Sequence, residues 1–205
     1  MRPAAEPPDM RIVAGKHRGR TIEVPAGDDI RPTADRARQA VFDVLAHHPA
    51  TAGKLLTGAE VLDAFAGTGA MGLEALSRGA AHATFMDTAP EALTCIRVNA
   101  LKLGEGKRVD VLRADAAKPP RAGKPATLAF LDPPYGKAWA DAALEALAAR
   151  GWFADGAVVV VEHDADEELE PLPSFIRFDQ RRYGRARFLF LRYLGQGSRQ
   201  LRGER

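Results

Sequence analysis

Five short apolar runs, each meeting an acidic residue, constrain this chain more than any other feature. The runs at residues 61–65, 83–86, 109–112, 128–131 and 158–161 read as buried strands. Helical patterns fill most of the gaps, from the glycines after residue 65 to about residue 78, over 90–103 and over 140–149. Strand alternating with helix predicts a parallel sheet, and such sheets take their ligands at the carboxyl ends of the strands. Asp63, Asp87, Asp115, Asp132 and Glu162 fall within or just past those ends. One acid in such a place is ordinarily a helix cap. Five predict a polar crevice, with one or two of them serving as caps.

Two further β-like segments come next, 176–180 and 187–193, around "RRYGRA". A short turn between them predicts an antiparallel hairpin at the sheet edge. The fold class is therefore α/β, a mostly parallel seven-stranded sheet with an antiparallel edge hairpin. Upstream, "RIVAGKHRGRTIEVP" predicts a small basic N-terminal β-hairpin arm, with strands at 12–14 and 21–24. "RPTADRARQAVFDVLAHH" predicts a helix with Thr33 as N-cap and Ala37, Ala40, Val41, Val44 and Leu45 as its apolar stripe. The expected organisation is a Pro/Ala-rich disordered extension at 1–9, the basic hairpin and helix at 10–58 as an appendage, a core at 59–195, and a flexible basic tail at 196–205.

Composition mainly excludes. The one cysteine, Cys95, forbids an intrachain disulfide, and the five histidines have no zinc spacing, so no metal is expected. No apolar run approaches the roughly 20 residues that span a bilayer, and the first residues carry no secretory h-region. A cytoplasmic monomer without membrane contact is the expectation. Charge is uneven: from residue 176 onward nine arginines face only Asp179 and Glu204. A basic end beside an acidic middle points to a polyanionic partner. Arg182 and Arg185, beside Tyr183, are candidates for nucleic-acid contact.

"DAFAGTGAMG" contains Gly67, Gly69 and Gly72 as G-x-G-x-x-G, and Asp87 comes twenty residues after Gly67. Glycines allow a sharp turn and close approach of a ligand, and the acid accepts hydrogen bonds from ribose hydroxyls. The loop predicts an adenosine ligand without fixing which one. Asp63 favours S-adenosylmethionine over a dinucleotide: a carboxylate suits the ammonium of a methionine moiety and repels a pyrophosphate. "DPPY", Asp132–Pro133–Pro134–Tyr135, has a chemistry of its own. An exocyclic amine on a nucleobase is a poor nucleophile because its lone pair is delocalised into the ring. Two acceptors on its two N–H groups draw that pair out of conjugation. Asp132 offers one and the Pro133 carbonyl the other, kept free because the prolines break ladder pairing. Tyr135 offers a ring for stacking on the base.

These segments carry a resemblance. "DAFAGTGAMGLEALSRGA", "MDTAPEAL", "RADA" and "LDPPYGKAW" resemble motifs of Rossmann-like class I S-adenosylmethionine-dependent amino-methyltransferases. "RIVAGKHRGRTIEVP", "IRPTADRARQAVFDVL", "VVVVEHD" and "RRYGRARFLFLRY" narrow the likeness to the RsmD family, which methylates N2 of one guanine in 16S ribosomal RNA. The resemblance implies that Asp63, Gly67 and Gly69 contact the methionine end of the cofactor, with Phe65, Ala66 and Thr68 also binding the cofactor. Asp87 would take the ribose, and Asp115 with Ala116 the adenine. Asp132 would border both cofactor and base, and Pro133, Pro134 and Tyr135 would hold the guanine. Arg18, Arg20, Arg31, Thr33, Arg36 and Arg38 would line the RNA approach. The implied partner is small-subunit ribosomal RNA, free or in a partly assembled 30S particle. Where the family often has an acid, this chain has Gln39. A DNA amino-methyltransferase using the same DPPY chemistry is the alternative; a nicotinamide oxidoreductase and a non-catalytic RNA-binding protein are weaker ones.

Overall fold

Seven strands form one sheet: β1 Glu60–Ala64, β2 His82–Asp87, β3 Val109–Arg113, β4 Ala126–Leu131, β5 Phe153–Asp164, β6 Phe175–Tyr183 and β7 Ala186–Tyr193. The computed structural model describes residues 10–24, 32–51, 53–134, 139–167 and 172–195. The expectations for residues 1–9 and 196–205, for Arg31 and Tyr135, and for the Thr33 side chain lie outside the described residues. The spatial order is β3-β2-β1-β4-β5-β7-β6, with β3 to β5 mutually parallel and β7 antiparallel to both neighbours. The sequence places each strand within a few residues. The largest difference is β5, which runs beyond the apolar core of 158–161 at both ends because β7 pairs with its polar continuation through Asp164.

Helices cover both faces. On one side α1 (Pro32–His47), α2 (Ala70–Ser77) and α3 (Pro90–Leu103) pack Val41, Phe42, Leu73, Leu76, Ile96 and Leu103 against Val61, Phe85, Leu128 and Phe130. On the other, α4 (Trp139–Ala149) buries Ala140, Ala143, Leu144 and Leu147 at helical spacing against Leu131, Val159, Val161 and Leu189. The alternation along each strand explains the two cores: odd residues of β1 face α2, even ones the α4 layer. α1 begins at Pro32, so Thr33 is inside the first turn and is not the cap.

The expected N-terminal β-hairpin arm is present but short. Around the 3-10 turn Gly15–His17, Arg11 bridges Thr21 in antiparallel fashion, the Ile12 amide donates to Arg20 O (2.9 Å), the Gly19 amide to Ile12 O (2.8 Å) and the Ile22 amide to Met10 O (2.9 Å). The backbone donors explain why the ladder stops. The Val13 and Ala14 amides donate to the two carboxylate oxygens of Glu74 (2.7 and 2.9 Å), and the Glu23 amide donates to Asn99 Oδ1 (2.7 Å). The segment is thus a strap laid on α2 and α3, with Ile12 and Ile22 buried in the core. Further on, His17 Nε2 donates to Glu105 (2.5 Å) and Ser77 Oγ accepts the His17 amide (2.9 Å). Glu74 also accepts from Arg78 Nε (2.7 Å) and is fully buried. Removing one partner of a buried charge network costs about 3–5 kcal/mol. We expect Glu74→Ala to lower the thermal midpoint by roughly 10 °C, measured by calorimetry.

Candidate active site

The topological switch lies between β1 and β4, where the chain winds outward in opposite directions, and a crevice forms at their carboxyl ends. β1 leads into a tight turn at Phe65–Gly69. Phe65 has φ 60°, the single non-glycine positive φ among the described residues, and Gly67 and Gly69 have φ 52° and 77°. Strain of this kind persists where surrounding structure enforces it. Here the Ala66 amide donates to Met86 O (3.2 Å), the Gly69 amide to Ala66 O (2.7 Å), and Asn99 Nδ2 to Thr68 O (3.2 Å). A side chain grown at Gly67 would meet open space, so this turn presents bare backbone to the crevice.

Gly72 serves close packing instead. A Cβ there would lie 2.4 Å from Phe85 Cε1 and 3.2 Å from Asp63 Oδ2. Phe85 is fully buried, so its ring has nowhere to go. We expect Gly72→Ala to destabilise by about 1–3 kcal/mol and to shift the Asp63 carboxylate. A denaturant melt reads the first effect and cofactor titration the second.

Asp63, Asp87, Asp132 and Glu162 lie close enough to act on one another's charge, with unequal work, while Asp115 is seen only in a local turn. Asp63 is 4% exposed. Its Oδ2 accepts the Gly72 amide in the first turn of α2 (2.8 Å), while Oδ1 has no donor among the described residues. Burial, partly offset by that hydrogen bond and reinforced by Asp87, pushes its pKa up to about 7. Asp87, closing β2, accepts the Gly67 amide (2.9 Å) and the Ala89 amide (2.9 Å), which ties the glycine turn to the start of α3. Asp115 accepts the Ala117 amide (2.8 Å), a local turn beside the buried Ala116. Asp132 directly succeeds β4, and its amide donates to Ala64 O (3.4 Å). Asp132 is exposed at the mouth of the crevice, with protein around it on the sheet side. Its pKa is raised well above the ordinary value, first by burial and then by Glu162 and Asp63. Solvent on the open side softens the first cause, and the two like charges act in the same direction. Pro133 is buried and Pro134 exposed.

Glu162 is a site neighbour that sequence reasoning left out of the binding set. It sits at the position beside Asp132, since Leu131 pairs with Val161. Its place at a strand end was the available signal.

The basic candidates divide. Arg18, Arg36, Arg182 and Arg185 are exposed. Arg185 pairs with Asp164 (3.0 Å), and Arg182 Nε donates to Gly184 O (3.1 Å). Arg20, also exposed, donates to the Lys102 and Leu103 carbonyls at the end of α3. Arg38 departs from the expected surface: it is 4% exposed, pairs with Asp35 (2.8 Å), donates to Arg11 O (2.5 Å) and lies 3.8 Å from Glu74. The strap and the buried carboxylate draw its charge inward. Gln39 accepts from Arg78 (2.9 Å) and donates to Asp43 (2.5 Å), a neutral side chain bridging two charged ones.

The crevice suits S-adenosylmethionine on the molecule's own terms. A buried carboxylate with an undonated oxygen complements an ammonium. A turn with open space above Gly67 admits close approach. The paired amides on Asp87 leave its remaining lone pairs for hydroxyls. Fold and site together define a Rossmann-like class I methyltransferase, whose cofactor is S-adenosylmethionine. Comparison agrees. The solved structure of yhhF from Escherichia coli superposes with TM-score 0.76 at 29% identity, covering 92% of this chain and 100% of that one. Ribosomal protein L11 methylase of Lactobacillus delbrueckii, TM-score 0.59 at 16% identity over 83% and 82% of the two chains, shares the fold alone. Ribosomal RNA small subunit methyltransferase D of Escherichia coli K12 is 36% identical over 167 residues, 80% of each chain. The family model Conserved hypothetical protein 95 matches residues 10–192. The chain belongs to that family, the RsmD family of methyltransferases. Among the described residues no helix is long and apolar enough to cross a membrane.

Proposed function

We propose that this methyltransferase modifies small-subunit (16S) ribosomal RNA at the exocyclic N2 amine of one specific guanine. The observation that carries the reading is Asp132 at the head of its proline turn, across the β1–β4 switch point from the glycine turn. The relatives named ribosomal RNA small subunit methyltransferase D support ribosomal RNA as the substrate class. Asp63, Phe65, Ala66, Gly67, Thr68 and Gly69 hold the methionine end of the cofactor, Asp87 its ribose, and Asp115 with Ala116 its adenine. When bound, S-adenosylmethionine supplies an electrophilic methyl group.

The chain's own residues do the rest. Asp132 accepts one N–H of the amine and the Pro133 carbonyl the other, which favours a pyramidal, nucleophilic nitrogen. Pro134 keeps the turn rigid, and Tyr135 stacks on the base. The raised pKa of Asp132 suits it to take the proton released after transfer, directly or through water. Positioning and electrostatics supply the acceleration. Arg18, Arg36, Arg182 and Arg185 offer phosphate contacts, joined by Arg31. The target guanine leaves its stack to reach Asp132, which an unpaired loop base does at lower cost. The enzyme acts as a monomer in the cytoplasm, on RNA alone or in a partly assembled 30S particle.

The test is methyl transfer from labelled S-adenosylmethionine to small subunits isolated from cells lacking this gene, with nucleoside analysis by mass spectrometry. N2-methylguanosine is the expected product. Cofactor binding with no methylated ribosomal RNA, but with methylated DNA, would replace the reading by the DNA alternative.

A further inference from the structure

The geometry points to Trp139 as a stacking platform for the nucleotide next to the target guanine, an inference that rests on the ribosomal RNA reading. Trp139 opens α4, seven residues after Asp132. Side chains in a helix lean toward its amino end, so a ring on the first residue projects past the helix toward the carboxyl edge of the sheet. Packing locates that end: Ala140, the next residue, shares one buried cluster with Leu131, which precedes Asp132, and with its strand partner Val161, which precedes Glu162. The start of α4 therefore stands over the strand end that flanks the proposed catalytic turn.

Trp139 is also out of keeping with the rest of the protein. The chain has two tryptophans. Trp152 is buried and donates its indole N–H to Pro120 O (2.9 Å). Trp139 is 37% exposed, although its helix neighbours Ala140 and Ala143 are buried, and no ring or cation of the described residues stacks on it. An exposed indole at the mouth of a crevice finds a natural partner in an unstacked nucleobase. Exposed guanidinium groups continue the path: beyond His163, Asp164 holds Arg185 at 3.0 Å on the β6–β7 turn, where Arg182 is also exposed. A ring followed by exposed guanidinium groups matches a base followed by its backbone phosphates. The platform holds the flanking base once the guanine is extruded, and so contributes to substrate binding without touching the reacting nitrogen.

Steady-state methylation of small subunits by wild type, Trp139→Ala and Trp139→Phe tests the assignment, with cofactor titration alongside. The expected result is a KM for subunits raised about tenfold in Trp139→Ala, the scale for losing one base–aromatic stack. Its kcat and cofactor affinity stay close to wild type, and Trp139→Phe recovers most of the loss. A Trp139→Ala KM within twofold of wild type overturns the platform and leaves the ribosomal RNA reading intact. A fall in kcat together with cofactor affinity, unrescued by Phe, assigns Trp139 to the fold and also overturns it. Wild type that leaves ribosomal RNA unmethylated overturns both.

Discussion

Asp132→Ala is expected to lower the rate of methyl transfer at least about 10²-fold, the scale for losing a preorganised polar contact to a transition state. The expectation rests on position. The residue directly follows β4 at the switch crevice, its amide is tied to Ala64, and Pro133 and Pro134 stiffen the turn beyond it. Removing the carboxylate leaves the Pro133 carbonyl as a single acceptor, too few to hold both N–H groups of an amine. Cofactor binding should fall much less, because Asp63, Asp87 and the glycine turn stay in place. A single-turnover assay at saturating cofactor separates the two. Near-normal turnover would end the acceptor mechanism. With the wild type, the rate should climb with pH through a value above the ordinary carboxylate range, since the ionised form is the acceptor and its pKa is raised.

The second large effect concerns Asp63. Its pKa of about 7 in the fold exceeds its ordinary value of 3.8. Below about pH 4 the group is neutral in folded and unfolded chains alike. Between pH 4 and 7 the unfolded chain loses the proton and the folded one keeps it, so stability falls as pH rises and levels off above 7. The full difference is on the order of 4 kcal/mol. Asp63→Asn removes it while retaining an acceptor for the Gly72 amide. The variant without cofactor should therefore melt well above wild type at pH 8 and close to it at pH 4. Its affinity for S-adenosylmethionine should drop about 10- to 100-fold, the range for a hydrogen bond to a charged group. Melting curves at the two pH values and calorimetric titration check both halves. A variant no more stable than wild type at pH 8 would show that the buried charge carries no penalty.

The parallel sheet was legible because β1, β2, β4 and β5 are largely buried runs with an acid at or near their ends, and its helices carry clean apolar stripes; edge strand β3, read as buried, has no buried residue and ends at Arg113. The crevice was legible for the same reason: Asp63, Asp87 and Asp132 stand at strand ends by periodicity alone. Three things were not. Arg38 looked like a surface cation because nothing local marks Glu74, thirty-six residues on, as its buried neighbour. The short hairpin was legible from its alternation, but not its docking: the amides of Val13, Ala14 and Glu23 find carboxylate and amide side chains on α2 and α3. Glu162 meets Asp132 only through the pairing of β4 with β5, a register that sequence does not display.

The strap has a consequence for synthesis. His17 docks on Glu105, 88 residues later in the chain. At about 5–20 residues per second the ribosome takes roughly 5–20 s to supply that partner. Over that interval α1 and α2 can already cover Ile12 and Ile22, but the His17 end of the strap stays undocked until α3 is complete. The same wait joins the N-terminal third to the β1–β3 half-sheet, so neither closes its core without the other.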